Sequence, residues 1–407
     1  MSTLLERFLR YVRIDTQADE RATVYPSTPG QWELSRLLCD ELKAMGCVDA
    51  RVTEFGLVHA TVPGTVVGAP TIALNAHVDT SPEFSGKNVK PQVHRNYAGG
   101  DIVLPGDPSR VIRVSEAPEL AELVGKTIVT TDGTTLLGGD DKAGIAVIME
   151  AAMMLMEDRK LPCGPIRIVF TCDEEIGRGS DHLDPSELGA VCAYTLDGAG
   201  TAEIEDETFS GDKATVTITG VNIHPALAKD RMTNAVRLAG AFLDRLPKRL
   251  LSPETTDDRA GFIHPYLIEG GVPKTTITLI LRDFVTANLT VYADLLRTIA
   301  KQLETEYPAA RIDVAIQAQY RNMKDGMTKE PRAVPYAIDA IRVAGLEPKR
   351  RAIRGGTDGA HFTAKGLPTP NLSTGEHSFH SPLEWVCLEE LETNVRVVLA
   401  LAKRWTE

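Results

Sequence analysis

The stretch Leu136-Leu137-Gly138-Gly139-Asp140-Asp141-Lys142-Ala143-Gly144 decides the fold of this chain, because it joins one apolar strand to one helix and sets two adjacent carboxylates between them. The run before it, Lys126 to Thr131, is β-branched and strand-like. The run after it, Ala143 to Met156, is a strong helix former in which only Glu150 interrupts the apolar character. A carboxylate at such a junction, outside the carboxyl end of a buried strand, sits where open α/β sheets place their ligands. An isolated Asp-Asp pair would simply cap the helix. What weighs against that reading is the number of other strand ends that carry metal-ligand residues.

Working outward, the whole composition is that of an ordinary globular chain. It has 407 residues, 43% hydrophobic and 25% charged, enough for two or three domains at about 100–200 residues each and for a large core. Acidic residues exceed basic ones, 56 against 44, giving a formal net charge of -12. That balance argues against nucleic acid or an anionic membrane as partner. The start of the chain is amphipathic (Leu4, Leu5, Phe8, Leu9, Val12) rather than continuously apolar, so neither a signal peptide nor a membrane span is expected, and the expected location is cytoplasmic. Six scattered cysteines without a CxxC pair fit reduced, mostly buried thiols.

Helix and strand alternate along the first part of the chain. Helices are expected at Leu4 to Arg13 and Gly30 to Met45, and strands at Val52 to Val62, Thr71 to Ala76, Pro165 to Thr171 and Val191 to Leu196. The last three are continuous apolar or β-branched runs, as for strands covered on both faces. They run into His77-Val78-Asp79, Asp173-Glu174-Glu175 and Asp197-Gly198. Between Asp79 and Asp140 lies a polar segment too long for an ordinary connection, and such segments are usually functional. From Asp212 the order becomes β-α-β-β-α-β, which is ferredoxin-like and reads as an insert. After Asp325 the alternation resumes, with the turn Arg354-Gly355-Gly356-Thr357-Asp358-Gly359-Ala360, the late His380 and a final helix, Leu388 to Arg404. The expectation is an α/β catalytic domain, discontinuous over 1–211 and 325–407, with a mainly parallel sheet covered by helices. An α+β lid domain of ferredoxin-like type is inserted at 212–324.

His77, Asp140, Glu175, Asp197 and His380 thus fall at separate strand ends. They are imidazoles and carboxylates, the donor set for zinc, cobalt or manganese rather than for a thiolate site. None is specific alone. Together, two histidines and three carboxylates hold two divalent ions if one carboxylate bridges them, and ions about 3.5–4 Å apart form the clamp of two-metal hydrolases. Asp79, two residues after His77 on an extended segment, is placed to accept that ring's second N–H. Glu174 and Glu175, if extended, point to opposite faces, so one can ligate while the other faces substrate.

The motifs His77-x-Asp79, Gly139-Asp140-Asp141-Lys142-x-Gly144, Asp173-Glu174-Glu175-x-Gly177, Asp197-Gly198 and the late His380 resemble the dinuclear zinc aminoacylase/carboxypeptidase G family of peptidases and deacylases. Within that family Ser85-Gly86-Lys87-Asn88, Gly99-Gly100-Asp101-Ile102, Thr134-Thr135-Leu136-Leu137-Gly138, Arg354 to Ala360 and Thr374-Gly375 are similar to the tripeptide aminopeptidases. The resemblance implies two Zn2+ per subunit, with Co2+ or Mn2+ as substitutes. It makes Asp140 the bridging ligand, puts His77 and Asp197 on one metal and Glu175 and His380 on the other, and gives Glu174 the role of general base and Asp79 that of orienting His77. His377 stands where an aromatic is expected, so His377-Ser378-Phe379-His380 offers two histidines, of which His380 holds the motif position.

Asn222-Ile223-His224-Pro225 and Arg282-Asp283-Phe284 match segments that approach substrate in relatives, with His224 as an oxyanion donor. Arg354 and Arg282 are expected to fork a peptide's terminal carboxylate, and Asp101 to meet its ammonium. The implied activity is release of the N-terminal residue from short peptides, chiefly tripeptides, with a short peptide and a homodimer copy as the partners. A zinc deacylase or carboxypeptidase of the same superfamily, and a non-catalytic metal-binding protein, are the alternatives. The long 80–139 segment argues against the first, and the presence of Glu174 against the second.

Overall fold

The computed structural model describes residues 3–407, which divide into two compact units. One unit comprises the chain up to Asp206 together with Met323–Arg351 and Thr357–Glu407. Its sheet runs in the order Val48–Val52, Val58–Val62, Ile166–Thr171, Ile72–His77, Cys192–Ala199, Asn371–His377, Trp385–Cys387, Ile128–Thr130, Gln92–His94. Ile72–His77 lies parallel to both Ile166–Thr171 and Cys192–Ala199, and Asn371–His377 continues the parallel centre. The flanking pairs are antiparallel. The architecture is therefore α/β, with a parallel centre extended at both edges.

Ile72–His77 at the centre and Val58–Val62 nearer one edge are buried throughout, as for strands that helices cover on both faces. Helix Gly139–Glu157 has apolar residues on every side and is buried over most of its length, as a core helix must be. The final helix, Leu388–Arg404, packs against it. The single strand expected over Val52 to Val62 is instead two antiparallel strands. Gly56, at φ 80°, turns the chain between them, and Thr53 N–H donates to Leu57 O at 2.8 Å. The 80–139 segment is not an open loop: Tyr97, Ile102, Leu104, Leu120 and Trp385 form a small core of their own.

The other unit comprises Glu207–Asn322 and Ala352–Gly356. Its four strands are antiparallel in the order Phe262–Gly271, Lys274–Asp283, Ser210–Thr219, Arg311–Tyr320. Along Ser210–Thr219, Ala214, Val216 and Ile218 alternate with less buried Lys213, Thr215 and Thr217, so one face meets the core. Helices Ala235–Asp244 and Thr286–Glu306 cover that face, the second through Leu289, Leu296 and Leu303 at helical spacing. The order is the β-α-β-β-α-β read from the sequence.

Ala352–Gly356, expected within 325–407, goes with this unit. Phe209 N–H donates to Ile353 O at 3.0 Å, and the Arg354 guanidinium donates to the carbonyls of Asp258, Ala260 and Thr256 at 2.8, 2.9 and 3.2 Å. Among the described residues, no helix is long and apolar enough to cross a membrane.

Candidate active site

Parallel strands that end together bring their terminal residues together. Register pairs His77 with Thr171, which sets the turn after Thr171 beside the end of the Ile72–His77 strand. Asp141 secures this junction. It is fully buried, and its carboxylate accepts the N–H of His77 at 3.1 Å and that of Gly144 at 3.1 Å, so it caps the helix that Asp140 opens. The capping role considered for the Asp-Asp pair thus belongs to Asp141, leaving Asp140 free to face the strand ends.

Gly144 permits the close approach: a Cβ there would lie 1.9 Å from Leu196 O and 2.3 Å from Asp141 Oδ1. Gly144→Ala is expected to destabilise the chain by about 1–3 kcal/mol or more, the cost of overpacking. Urea unfolding of the variant beside the parent measures it, and an unchanged midpoint would show that the junction yields.

Two groups of donor atoms meet at Asp140. One is His77, Asp140 and Asp197, the other Asp140, Glu175 and His380, and within each group the atoms lie within 4.8 Å of one another. His77 Nε2 is 3.0 Å from Asp140 Oδ1 and 3.6 Å from Asp197 Oδ1. On the other side His380 Nε2 is 3.1 Å from Asp140 Oδ2 and 2.9 Å from Glu175 Oε2. Each oxygen of Asp140 therefore serves a different group. Asn371, which sequence reasoning missed, fixes Asp197: its side chain accepts that residue's N–H and donates to its C=O, both at 3.1 Å.

His380 sits at φ 58° and Ser378 at φ 52°, left-handed conformations that cost about 1–3 kcal/mol each when a side chain is present. They turn His380 back toward Asp140. His377 faces elsewhere. Its ring stacks on Trp385 at 3.8 Å, and its nitrogens lie 2.7 Å from Glu390 and 3.5 Å from Glu119. It does the packing work expected of an aromatic residue there.

The electrostatics of the cluster are those of a cation site. Burial pushes Glu175 up to about 8 and Asp197 to about 6, with Asp140 adding to both. Although burial opposes it, contact with Asp140 and Glu175 carries His380 up to about 12, and Asp140, Asp197 and Asp79 raise His77. Burial would raise Asp140 as well, but hydrogen bonds from His380 and His77 outweigh it and hold the carboxyl below its usual range. Protonated imidazoles are thus the positive charge that a crowd of carboxylates demands, a demand divalent ions satisfy better. Glu175 Oε1 is buried without a hydrogen-bond partner. These residues fit two divalent ions, with Asp140 between them.

Glu174 belongs to neither donor group. Its carboxyl is raised well above the usual range by burial and by Asp197, Asp358 and Glu175, against the pull of His77. The extended geometry expected for Glu174 and Glu175 is replaced by a tight turn, Glu174–Ile176, entered through Asp173 at φ 61°. Asp79 holds that turn by accepting the N–H of Glu174 at 3.0 Å and of Glu175 at 3.1 Å. Its carboxylate is consequently 3.5 Å from His77 Nδ1, and its backbone carbonyl, at 3.1 Å, is the nearer acceptor. Asp79 thus orients His77 less directly than expected, and orders both glutamates as well.

The remaining expected residues belong to neither donor group. Asp101 is exposed and accepts the N–H of Val114 at 3.0 Å, closing its own loop. In the inserted unit Asn222 and His224 are exposed, and His224 Nδ1 accepts the N–H of Ala226 at 3.2 Å. The Arg282 guanidinium donates to Asp212 O and Leu281 O over the Tyr320 ring. Arg354, besides its carbonyl partners, lies over Phe209 and Phe262. Its guanidinium is thus engaged within its own unit.

An α/β sheet whose parallel strands converge histidines and carboxylates on one shared aspartate is the layout of a metallohydrolase. The chain belongs to peptidase family M20/M25/M40, whose model matches residues 132–404. It is 43% identical over 405 residues to Peptidase T of Listeria monocytogenes serotype 4a, covering 99% of this chain and 98% of that one. Among solved structures it resembles the aminopeptidase PepT from Bacillus cereus, with TM-score 0.74 and 23% identity, and a tripeptidase from Staphylococcus aureus, with TM-score 0.77 and 22% identity. Each comparison covers 99% of this chain and 98% of the other.

Proposed function

We propose that the chain is a metal-dependent aminopeptidase that releases the N-terminal residue of short peptides, tripeptides above all. The observation that carries this is Asp140, one carboxylate facing two donor groups, with Glu174, a member of neither, next to the ligand Glu175 in the turn that Asp79 holds. The preference for tripeptides is supported by the identity with Peptidase T across the whole chain. We assign zinc as the metal, with cobalt or manganese as substitutes, on the imidazole and carboxylate donors. Two such ions supply the charge that brings a water's pKa toward about 7 and polarises a peptide carbonyl. Glu174 takes the proton of the attacking water and delivers it to the leaving amine, the work of a general base turned acid. Asp79 keeps the glutamate turn in place for both tasks. The six cysteines are free and buried, in keeping with a reducing, cytoplasmic setting.

The test is cleavage of matched di-, tri- and tetrapeptides, free and blocked at either end, with Zn2+ or Co2+ present. The free tripeptide is expected to be cut fastest, after its first residue. Acetylating its amine is expected to lower kcat/KM roughly 10–100-fold, the loss of one hydrogen bond to a charged group. Preferred cleavage of the acetylated peptide would make the chain a deacylase, and release of the last residue a carboxypeptidase.

A further inference from the structure

Glu384 is almost wholly buried, and both of its carboxylate oxygens are committed to backbone. Oε2 accepts the N–H groups of Leu137 at 2.7 Å and Gly138 at 2.8 Å, and Oε1 accepts that of Asp140 at 3.0 Å. Successive amides that converge in this way form an anion-binding concavity, filled here by the chain's own side chain. Two glycines make room for it. Gly138 takes φ 79°, and a Cβ on Gly139 would come within 3.0 Å of Glu384 Oε1 and 2.9 Å of Val386 Cγ1.

Glu384 is itself held firmly. Its N–H donates to Ser381 O at 3.1 Å, and the next residue starts the strand Trp385–Cys387, paired with Ile128–Thr130. Four residues before it stands His380, whose Nε2 is 3.1 Å from Asp140 Oδ2. One short segment therefore grips Asp140 from two sides, by its carboxylate through His380 and by its backbone through Glu384.

We infer that Glu384 is a positioning residue for the shared carboxylate: by clamping the Leu137–Asp140 amides it fixes where both oxygens of Asp140 point, and so sets the affinity for both metal ions at once. The inference rests on the two-metal reading above. The competing role is plain structure, since three buried amides need an acceptor whatever the site does. The two roles differ in what a folded variant does with metal.

Glu384→Gln keeps the shape but turns an amide NH2 toward N–H donors, and Glu384→Asp keeps the charge but withdraws it by one methylene. Each variant, stripped of metal, is titrated with Co2+ against a chromophoric chelator, its visible Co2+ spectrum is recorded, and amide exchange is measured on the metal-free protein. Both variants are expected to bind both Co2+ ions about 10–100-fold more weakly, the usual loss when a group behind a metal ligand is changed. An altered Co2+ spectrum and faster exchange at Leu137, Gly138 and Asp140 should accompany that loss. Should Glu384→Gln fail to fold, the charge-retaining aspartate supplies the same readings.

A folded variant that binds two Co2+ within about twofold of the parent, with the parent's spectrum, overturns the inference alone, because such a change is well below the loss expected from a positioning group. A parent that itself binds fewer than two Co2+ overturns the two-metal reading and this inference with it.

Discussion

Glu174→Gln is expected to fold, to retain two divalent ions, and to lose about 10²–10⁴ in kcat, the contribution of a general base. The substitution keeps size and hydrogen-bonding capacity but removes the site that takes the proton. Glu174 stands in neither donor group, so metal content should be untouched. Glu175→Gln is the contrasting variant. Glu175 Oε2 lies 2.9 Å from His380 Nε2 in the second donor group, so losing its charge should lower occupancy of that ion along with activity. Elemental analysis beside kcat for both proteins separates the roles. If Glu174→Gln sheds metal while Glu175→Gln keeps two ions and loses only rate, the assignment of the pair is reversed.

The catalytic fold was legible because the parallel strands Ile72–His77, Ile166–Thr171 and Cys192–Ala199 are covered on both faces, so they read as apolar runs whose ends stand out sharply, whereas the strand before Asp140, Ile128–Thr130, is antiparallel to both of its neighbours. His77 and Asp197 stand at the ends of such runs, and Glu175 lies in the Asp173-Glu174-Glu175 triplet just past one, where only the family resemblance says which glutamate ligates. The inserted unit was legible for a different reason: strand Ser210–Thr219 alternates and helix Thr286–Glu306 repeats with helical period, each showing one apolar face. Glu384 and Asn371 were not legible, because their partners are backbone amides and carbonyls far away in sequence, and such partners leave no pattern in side-chain chemistry.

The tight turn of Glu174 and Glu175 leaves no mark in the sequence for the same reason. Nothing local shows that Asp79 would accept both of their amides. Arg354 marks the converse limit. A guanidinium at a glycine-rich turn suggests a ligand fork, yet it is occupied by three carbonyls that only the folded inserted unit brings to it.

Asp140 is the residue on which the two donor groups depend together. Asp140→Asn removes charge from both, so neither ion should be retained, and the loss of affinity should exceed the roughly 10–100-fold that follows changes one step further from a metal. The most direct measurement is the rate of tripeptide hydrolysis by chelator-stripped protein as Zn2+ is added back, with bound ions counted by elemental analysis. The rate is predicted to be negligible without metal and to level off at two bound equivalents per chain, while Asp140→Asn neither binds two ions nor gains activity over the same range. A stripped protein that cleaves at full rate, or an Asp140→Asn variant that still takes up two ions and works, would contradict it.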